Sequence, residues 1–581
     1  MIARHMIIVA AIAGLSLLGP CRAAEMSRPD VGPHSVVQTA DPRDLALIKA
    51  LEEIIPPLLQ AHNVPGLNIA LARNGGIVWQ GAFGYADAQL RLPMTPDTVF
   101  HSGSLAKAYA ATAIMQLAEE GRLKIDDSIN RYLPFQVSNP KGGPPITIRH
   151  LLTHTSGLGS TNTDPVSYLC AGSRMVRPLT EVLQKIYMQP QAALQAPQSI
   201  WTQPTGARWQ YSNIGGATLG LIVERVNAEH LSYSEYVQKK IMNALGMRYA
   251  QIPVAQTRAL TRPDIWARMS VGYQTMGGAW IPTAQVCFGS FPCGGSFATP
   301  ADYLRLMIAM MHGGSFNGAR LLKPESVATM LTPALEGTIS EFEDYGFGSL
   351  QERVEMPRER QGLIWWLRDW DKPTRAFHHE GGHMYGWKTM AVAFPQFDTA
   401  FVVAVNHWNS LSDYYSRPEL DSIAAFVEAW LKAASTGSPQ GLAATWLKAT
   451  QLSRAPIIPR LQNISWKASY LRGLLYAESY QFALATPERL TENDARTLAK
   501  NTEATLSTSQ PALWDPGAFV TGTKDMAAVA ATATAIHDFA KSKTMRISLD
   551  EARQLYPLFG PNAGSDATLA GLLSVPPATS H

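Results

Sequence analysis

The chain has 581 residues, of which 46% are hydrophobic and 16% charged, a balance too apolar for a disordered chain and too poor in charge for a polyelectrolyte or coiled coil. Its length fits roughly two to four domains. Lys and Arg (49) nearly match Asp and Glu (46), so a net charge of +3 gives no electrostatic case for nucleic acid or an anionic membrane, and four cysteines exclude a disulfide scaffold or a multi-cysteine zinc module.

Arg4 precedes an apolar run from Met6 to Pro20, shorter than the about 20 residues a bilayer-spanning helix needs. Residues 1–23 therefore read as a secretory signal peptide cut after Ala23, and Pro20 ahead of Cys21 speaks against a lipoprotein cut. The expected mature protein is exported, to a bacterial periplasm, without a transmembrane segment. Losing Arg4 and Arg22 takes its charge from +3 to +1. Cys287 and Cys293 are close enough in sequence to close a small disulfide loop, leaving Cys170 over, and three buried thiols fit equally well.

Residues 24–44 form a polar leader. Leu45–Leu59 has apolar residues at helical spacing, with Pro56-Pro57 expected to disturb its end. Asn74-Gly75-Gly76 joins two strand-like runs as a hairpin. Helices are expected over Ala106–Glu120, stopped by Gly121, over Gly215–Val226, and from Thr299-Pro300 through Met311. Tyr345–Leu350, Arg375–His378, Trp387–Phe394 and Ala400–Asn406 read as strands, and Leu420–Ala434 as a long amphipathic helix. Strands at both ends around a helical middle predict an α+β fold: one antiparallel sheet flanked by helices, with an all-helical lobe. The domain spans 45–434. Ser435–Gly441 is a linker, and 442–581 is a mainly helical C-terminal appendage, with helices over 468–484, 491–506, 526–540 and 548–558. A lid, a docking surface or a contact for a homo-oligomer are the roles open to it.

Three short motifs carry chemistry. Ser104 and Lys107 stand three residues apart at a helix start, close enough to touch. A serine hydroxyl needs a base beside it, and a desolvated lysine can serve. Tyr211 and Asn213 precede a second helix; a lysine cation beside the tyrosine would lower its phenol pKa and make it a proton shuttle. His379-Glu380-Gly381-Gly382 ends a strand, where glycine lets a substrate backbone approach a bare N–H.

In order and rough spacing, Ser104-x-x-Lys107, Tyr211-x-Asn213 and His379-x-Gly381 resemble the penicillin-recognising serine hydrolases, more narrowly the group of class C β-lactamases, D-aminopeptidases and their esterase relatives. Ile146–Leu158 and Gly294–Asp302 are similar to further signatures of that group, and the likeness covers about residues 45–434. The resemblance implies Ser104 as acyl-accepting nucleophile, Lys107 and Tyr211 as the proton-transfer pair with either as base, and Asn213 orienting Lys107 or substrate. It places His379 against the acyl or leaving group, and the N–H groups of Ser104 and Gly382 in the oxyanion hole. No cofactor and no metal is implied. The family's usual Lys-Thr-Gly is replaced by His-Glu-Gly, so a fixed cation for a β-lactam carboxylate is missing. The first expectation is thus an exported peptidase on short, D-residue-containing or nonribosomal peptides, followed by a carboxylesterase, a β-lactamase, and a non-turnover acyl receptor or scaffold.

Other patterns weigh less. His379-Glu-Gly-Gly-His383 also spells the zinc motif H-E-x-x-H, but that motif needs a helix, where two glycines cost about 1 kcal/mol each relative to alanine. No Gly-x-Ser-x-Gly supports an α/β-hydrolase. Trp365, Trp366, Trp370, Tyr385 and Trp387 bracket the third motif. They read as sheet packing or, for Trp365, Trp366 and Tyr385 together with Gly381, as a substrate-binding wall. His101, His150 and His154 read as hydrogen-bonding residues rather than ligands.

Overall fold

Antiparallel pairing gathers strands from both ends of the chain into one sheet. The computed structural model describes residues 34–452 apart from 89–91, 160–168, 171–177, 189–199, 254–260, 277–278, 284–286, 289–290, 336–358, 370–371, 373–374, 384–385, 409–417 and 438. The expected signal peptide, the strand at Tyr345–Leu350, Trp370, Tyr385 and the four helices after residue 468 lie outside the described residues.

The strands are β1 (His34–Val37), β2 (Gly66–Arg73), β3 (Gly76–Asp87), β4 (Glu359–Gln361), β5 (Trp366–Arg368), β6 (Ala376–His383), β7 (Trp387–Phe394) and β8 (Thr399–Val405). They lie in the order β1-β3-β2-β8-β7-β6-β5-β4, and Leu92–Pro93 adds a short ninth strand beside β3. β7 and β8 are buried along their whole length, which explains why they read as unbroken apolar runs.

The described helices include α1 (Pro42–Ala61), α2 (Ala106–Glu119), α3 (Asn213–Val226), α4 (Pro300–Met311), α5 (Pro418–Thr436) and α6 (Leu442–Leu452). One face of the sheet, with Ile69, Leu71, Val392, Phe401 and Val403, packs on α1 and α5. Leu47, Leu51, Ile54 and Leu58 supply the buried stripe of α1, and it carries that helix past Pro56-Pro57 to Ala61. The other face is built from Ala70, Ala72, Ala391, Ala393 and Ala400. Those small side chains let α4 and the helical lobe sit close. At the head of α4, Thr299 accepts from the Asp302 N–H at 3.1 Å and Pro300 takes the first turn, as expected. Every residue of α2 from Ala106 to Met115 is buried, so this alanine-rich helix forms the axis of the lobe.

The back of the sheet carries a buried charge pair and an extra helix. Lys388 of β7 and Glu419 of α5 form an ion pair, 2% and 0% exposed, and the β-ladder sets Lys388 opposite Gly382. Burial alone pushes the Glu419 carboxyl up; Lys388, His407 and hydrogen bonds together bring it below its ordinary value. The extra helix lies just past the expected linker. Helix α6, at the start of the stretch read as an appendage, packs on the back layer instead of standing apart. Ala443 is buried in its core, and the Trp446 ring meets Phe426 at 5.5 Å and 72°.

Of the two cysteine readings, the Cys287–Cys293 loop is not formed. Backbone pairing sets Cys170 directly across from Cys287. Cys293 carries no disulfide and is buried in a 3₁₀ turn, Phe291–Cys293, under the lobe.

If α6 belongs to the folded unit, Trp446→Ala should lower its unfolding free energy by about 1–3 kcal/mol, below the ~3–5 of a fully buried aromatic. The measurement is the urea midpoint, with an unchanged midpoint placing α6 outside the cooperative unit.

Candidate active site

Ser104 sits on a turn held from several sides. Phe100–His101 pairs with Phe297–Ala298, and then Gly103 turns the chain with a φ of +54° into a 3₁₀ turn, Gly103–Leu105, that runs into α2. A side chain at Gly103 would be strained by that φ, and its Cβ would lie 2.7 Å from the Gly382 nitrogen. The Ser102 N–H donates to the Ser296 carbonyl at 2.8 Å, Thr389 Oγ1 donates to the Ser102 carbonyl at 2.9 Å, and Tyr303 Oη donates to the Leu105 carbonyl at 2.9 Å. Ser104 itself is half-buried.

Lys107 lies one turn along α2, as its spacing predicts, and is fully buried. Its Nζ donates to Ser104 Oγ at 2.9 Å, Asn213 Oδ1 at 2.8 Å and the Cys293 carbonyl at 2.7 Å. The last two are acceptors only and consume two of the three Nζ positions. The third is aimed at the serine, as a proton when the amine is charged or as a lone pair when it is neutral. Burial lowers the Lys107 pKa from 10.5 to about 8. Gly216 in the first turn of α3 gives the stem room, since a Cβ there would stand 3.1 Å from Lys107 Cε.

Ser212 caps α3 by accepting from the Gly215 N–H at 3.1 Å, which fixes Tyr211 and Asn213 on either side of the cap. Tyr211 Oη donates to Ser104 Oγ at 2.6 Å, and Lys107 Nζ stands 4.7 Å from its ring centroid. The expected lowering of the phenol pKa is corrected. Burial raises it, and the Ser104 hydrogen bond offsets only part of this, so the phenol holds its proton more firmly than a free tyrosine does.

β6 brings in the third motif. A Cβ at Gly381 would lie 2.0 Å from the Ser102 carbonyl oxygen, so only glycine lets the strand abut the serine turn. Gly382, whose amide lies beside Gly103, is exposed, and Trp408 closes on it from the side. His379 is fully buried. Its ring stacks on Trp366 at 5.0 Å with 12° between planes, and Trp366 stands 6.5 Å from Tyr211. Because β6 is a strand, His379 and His383 are about 13 Å apart along it, so the H-E-x-x-H spelling does not make a helical zinc pair.

Of the expected wall, Trp366 reaches the site. Trp365 does not: it is 0% exposed and packs edge-on against Phe377 in the core with Leu363 and Leu367. Tyr385 lies outside the described residues. Two further partners carry no motif of their own: the Cys293 carbonyl, which accepts from Lys107, and Thr389, which ties Ser102 to Gly381. Lys388-Thr389 inside an otherwise apolar strand was the available signal.

Ser104 Oγ thus has a lysine and a phenol within hydrogen-bond reach, and a glycine strand edge beside its turn. A model of the Beta-lactamase family matches residues 51–426. Protein flp of Staphylococcus aureus (strain COL) is 28% identical over 228 residues, 39% of this chain and 41% of that protein. PbpX of Bacillus subtilis (strain 168) is 28% identical over 282 residues, 48% of this chain and 60% of that one. The chain therefore spans less than two thirds of either relative. A class C beta-lactamase structure shares the fold with a TM-score of 0.50 at 19% identity, over 69% of this chain and 99% of that chain. The family match runs from α1 into α5 and takes in Ser104, Lys107, Tyr211, Asn213 and His379: the chain belongs to the beta-lactamase family.

Proposed function

We propose that the protein is an exported serine hydrolase that works through an acyl-enzyme on Ser104, and that its substrates are short peptides, including D-residue-containing or nonribosomal ones. The observation that carries this reading is the convergence of Lys107 Nζ and Tyr211 Oη on Ser104 Oγ at 2.9 and 2.6 Å. In the first half-reaction Ser104 Oγ adds to the substrate carbonyl and its proton passes to neutral Lys107. The amide N–H groups of Ser104 and Gly382 receive the oxyanion. Tyr211, whose phenol holds its proton firmly, gives it to the leaving nitrogen and is reprotonated from Lys107. Water then attacks the acyl carbon, loses its proton to the same pair, and returns Ser104 with release of the acid. Asn213 keeps Lys107 pointed at the hydroxyl.

The substrate reading rests on the third motif. His379, buried and stacked on Trp366, replaces a lysine, so the third motif does not supply the fixed cation that a β-lactam carboxylate uses. The partly exposed Tyr211 ring, backed by the buried stack of Trp366 on His379, instead suits an uncharged, apolar acyl group.

Four substrates and one probe test the assignment: D- and L-amino acid amides, p-nitrophenyl esters, a chromogenic cephalosporin and a fluorophosphonate. Wild type should turn over the amides and become labelled on Ser104, Ser104→Ala should do neither, and Tyr211→Phe should lose about 10²–10⁴-fold on amides. Ester turnover without amide turnover would make it a carboxylesterase; labelling without any turnover would make it an acyl receptor.

With neutral Lys107 as base, the reactive fraction grows as protons are removed. kcat/KM for an uncharged ester should rise about tenfold per pH unit below about 8 and level off above it. A flat profile from pH 6 to 9 would remove Lys107 from that role.

The two tryptophans should separate. Both side chains are buried, so each alanine variant should cost stability, about 3–5 kcal/mol for Trp365→Ala, but only Trp366→Ala should raise KM for apolar acyl groups. Kinetics and urea melts on both variants read this out.

A further inference from the structure

We propose that His154 is the positioning residue that holds the Tyr211 phenol on Ser104, and that it thereby governs cleavage of bonds whose leaving group must be protonated. This rests on the acyl-enzyme reading of Ser104.

His154 follows a short helix, Ile148–Leu152, and adopts a φ of +55°, the left-handed region that costs most residues energy. It is 1% exposed. From there it touches each residue that leads into α3. Its carbonyl accepts from the Gln210 N–H at 2.7 Å, and its Nδ1 accepts from the Ser212 N–H at 3.2 Å. Its ring lies 4.7 Å from the Tyr211 ring at 38°, and 6.0 Å from Trp209 at 81°. Tyr211 is therefore gripped on its ring and through the backbone groups on both sides of it in sequence.

The tautomer is set by these bonds. Nδ1 accepts, so the proton sits on Nε2, and Nε2 is buried with no hydrogen-bond partner among the described residues. A buried unmade donor is a cost that a phenylalanine or leucine of similar bulk would avoid. What only the imidazole offers is a flat face for Tyr211 and a lone pair for Ser212 at once. That lone pair exists only in the neutral ring. Burial, then Lys107 and His379, hold the imidazole well below its ordinary pKa, so it stays neutral.

The consequence is selective. A nitrogen leaving group needs the Tyr211 proton, whereas p-nitrophenolate leaves unaided. The test compares an amide and a p-nitrophenyl ester of one acyl group on wild type, His154→Phe, His154→Asn, Tyr211→Phe and the double variant His154→Phe/Tyr211→Phe, with thermal melts alongside. His154→Phe should lower amide kcat/KM at least about 10-fold and ester kcat/KM less than about 3-fold, kcat/KM being the quantity that reports acylation without the water step that Tyr211 also serves. His154→Asn, which restores an acceptor for Ser212 and tolerates positive φ, should recover part of the amide rate. In the Tyr211→Phe background, His154→Phe should have no further effect. Equal losses on both substrates, or additive losses in the double variant, overturn the proposal while leaving the acyl-enzyme intact. An unimpaired Tyr211→Phe removes the acid role itself and overturns both. If His154→Phe does not fold, His154→Gln, which withdraws the acceptor from the Nδ1 position, is judged by the same criteria.

Discussion

A lysine amine with no solvent exposure is the constraint on which the arrangement depends. Taking an ammonium out of water is costly unless its protons are met, and this one is met by three oxygens from three parts of the chain. Asn213 comes from the head of α3, Cys293 from a 3₁₀ turn near residue 291, and Ser104 from the turn before α2. Each must be in place for the others to be tolerated. Two of these oxygens can only accept, so the direction left for Lys107 to work in is the direction of the serine. The Lys107 amine is therefore held pointing at Ser104 by the fold itself.

Glycine sets how close the pieces come. The turn at Gly103 and the strand at Gly381 touch backbone to backbone, and Thr389 stitches them together by donating to the carbonyl of Ser102 within reach of that of Gly381. Gly382, an exposed residue, is thereby brought beside the serine turn. On the far side of Ser104, α3 approaches α2 closely because Gly216 offers no Cβ to the stem of Lys107. The sheet contributes stiffness, with β7 and β8 buried on both faces between two layers of helix.

Much of this was legible in the sequence, for definable reasons. Elements with a strong local pattern were placed within a few residues: the hairpin at Asn74-Gly75-Gly76, the alanine-rich helix after Ser104, the Thr299-Pro300 helix start and the apolar strands from Trp387 onward. The Ser104-Lys107 and Tyr211-Asn213 pairs came together because helical spacing and a cap fix them locally. What escaped depends on contacts distant in sequence. Cys293 acts through its backbone, so no side-chain motif could mark it. Trp365 and Trp366 are indistinguishable by type, and the β5–β6 pairing decides which one faces Tyr211. The helix Leu179–Met188 and the strand pair Gly272–Met276 with Ala279–Thr283 went unread because their signals are short. The direction of the phenol shift is set by the burial of Tyr211, which comes from the tertiary packing and not from its neighbours in sequence.

The ion pair behind β7 has an evolutionary consequence. Lys388 and Glu419 lie 31 positions apart in sequence, yet neither tolerates the loss of the other, since an abandoned charge at such depth destabilises a fold by about 3–5 kcal/mol. Replacing both together by apolar residues of similar volume carries no such penalty. Descendants of this chain are therefore expected to keep both residues or to exchange both, and a lineage holding one alone would be under pressure to repair it. Because Lys388 stands opposite Gly382, that pressure falls on β7, the neighbour of the strand that brings Gly382 beside the Ser104 turn.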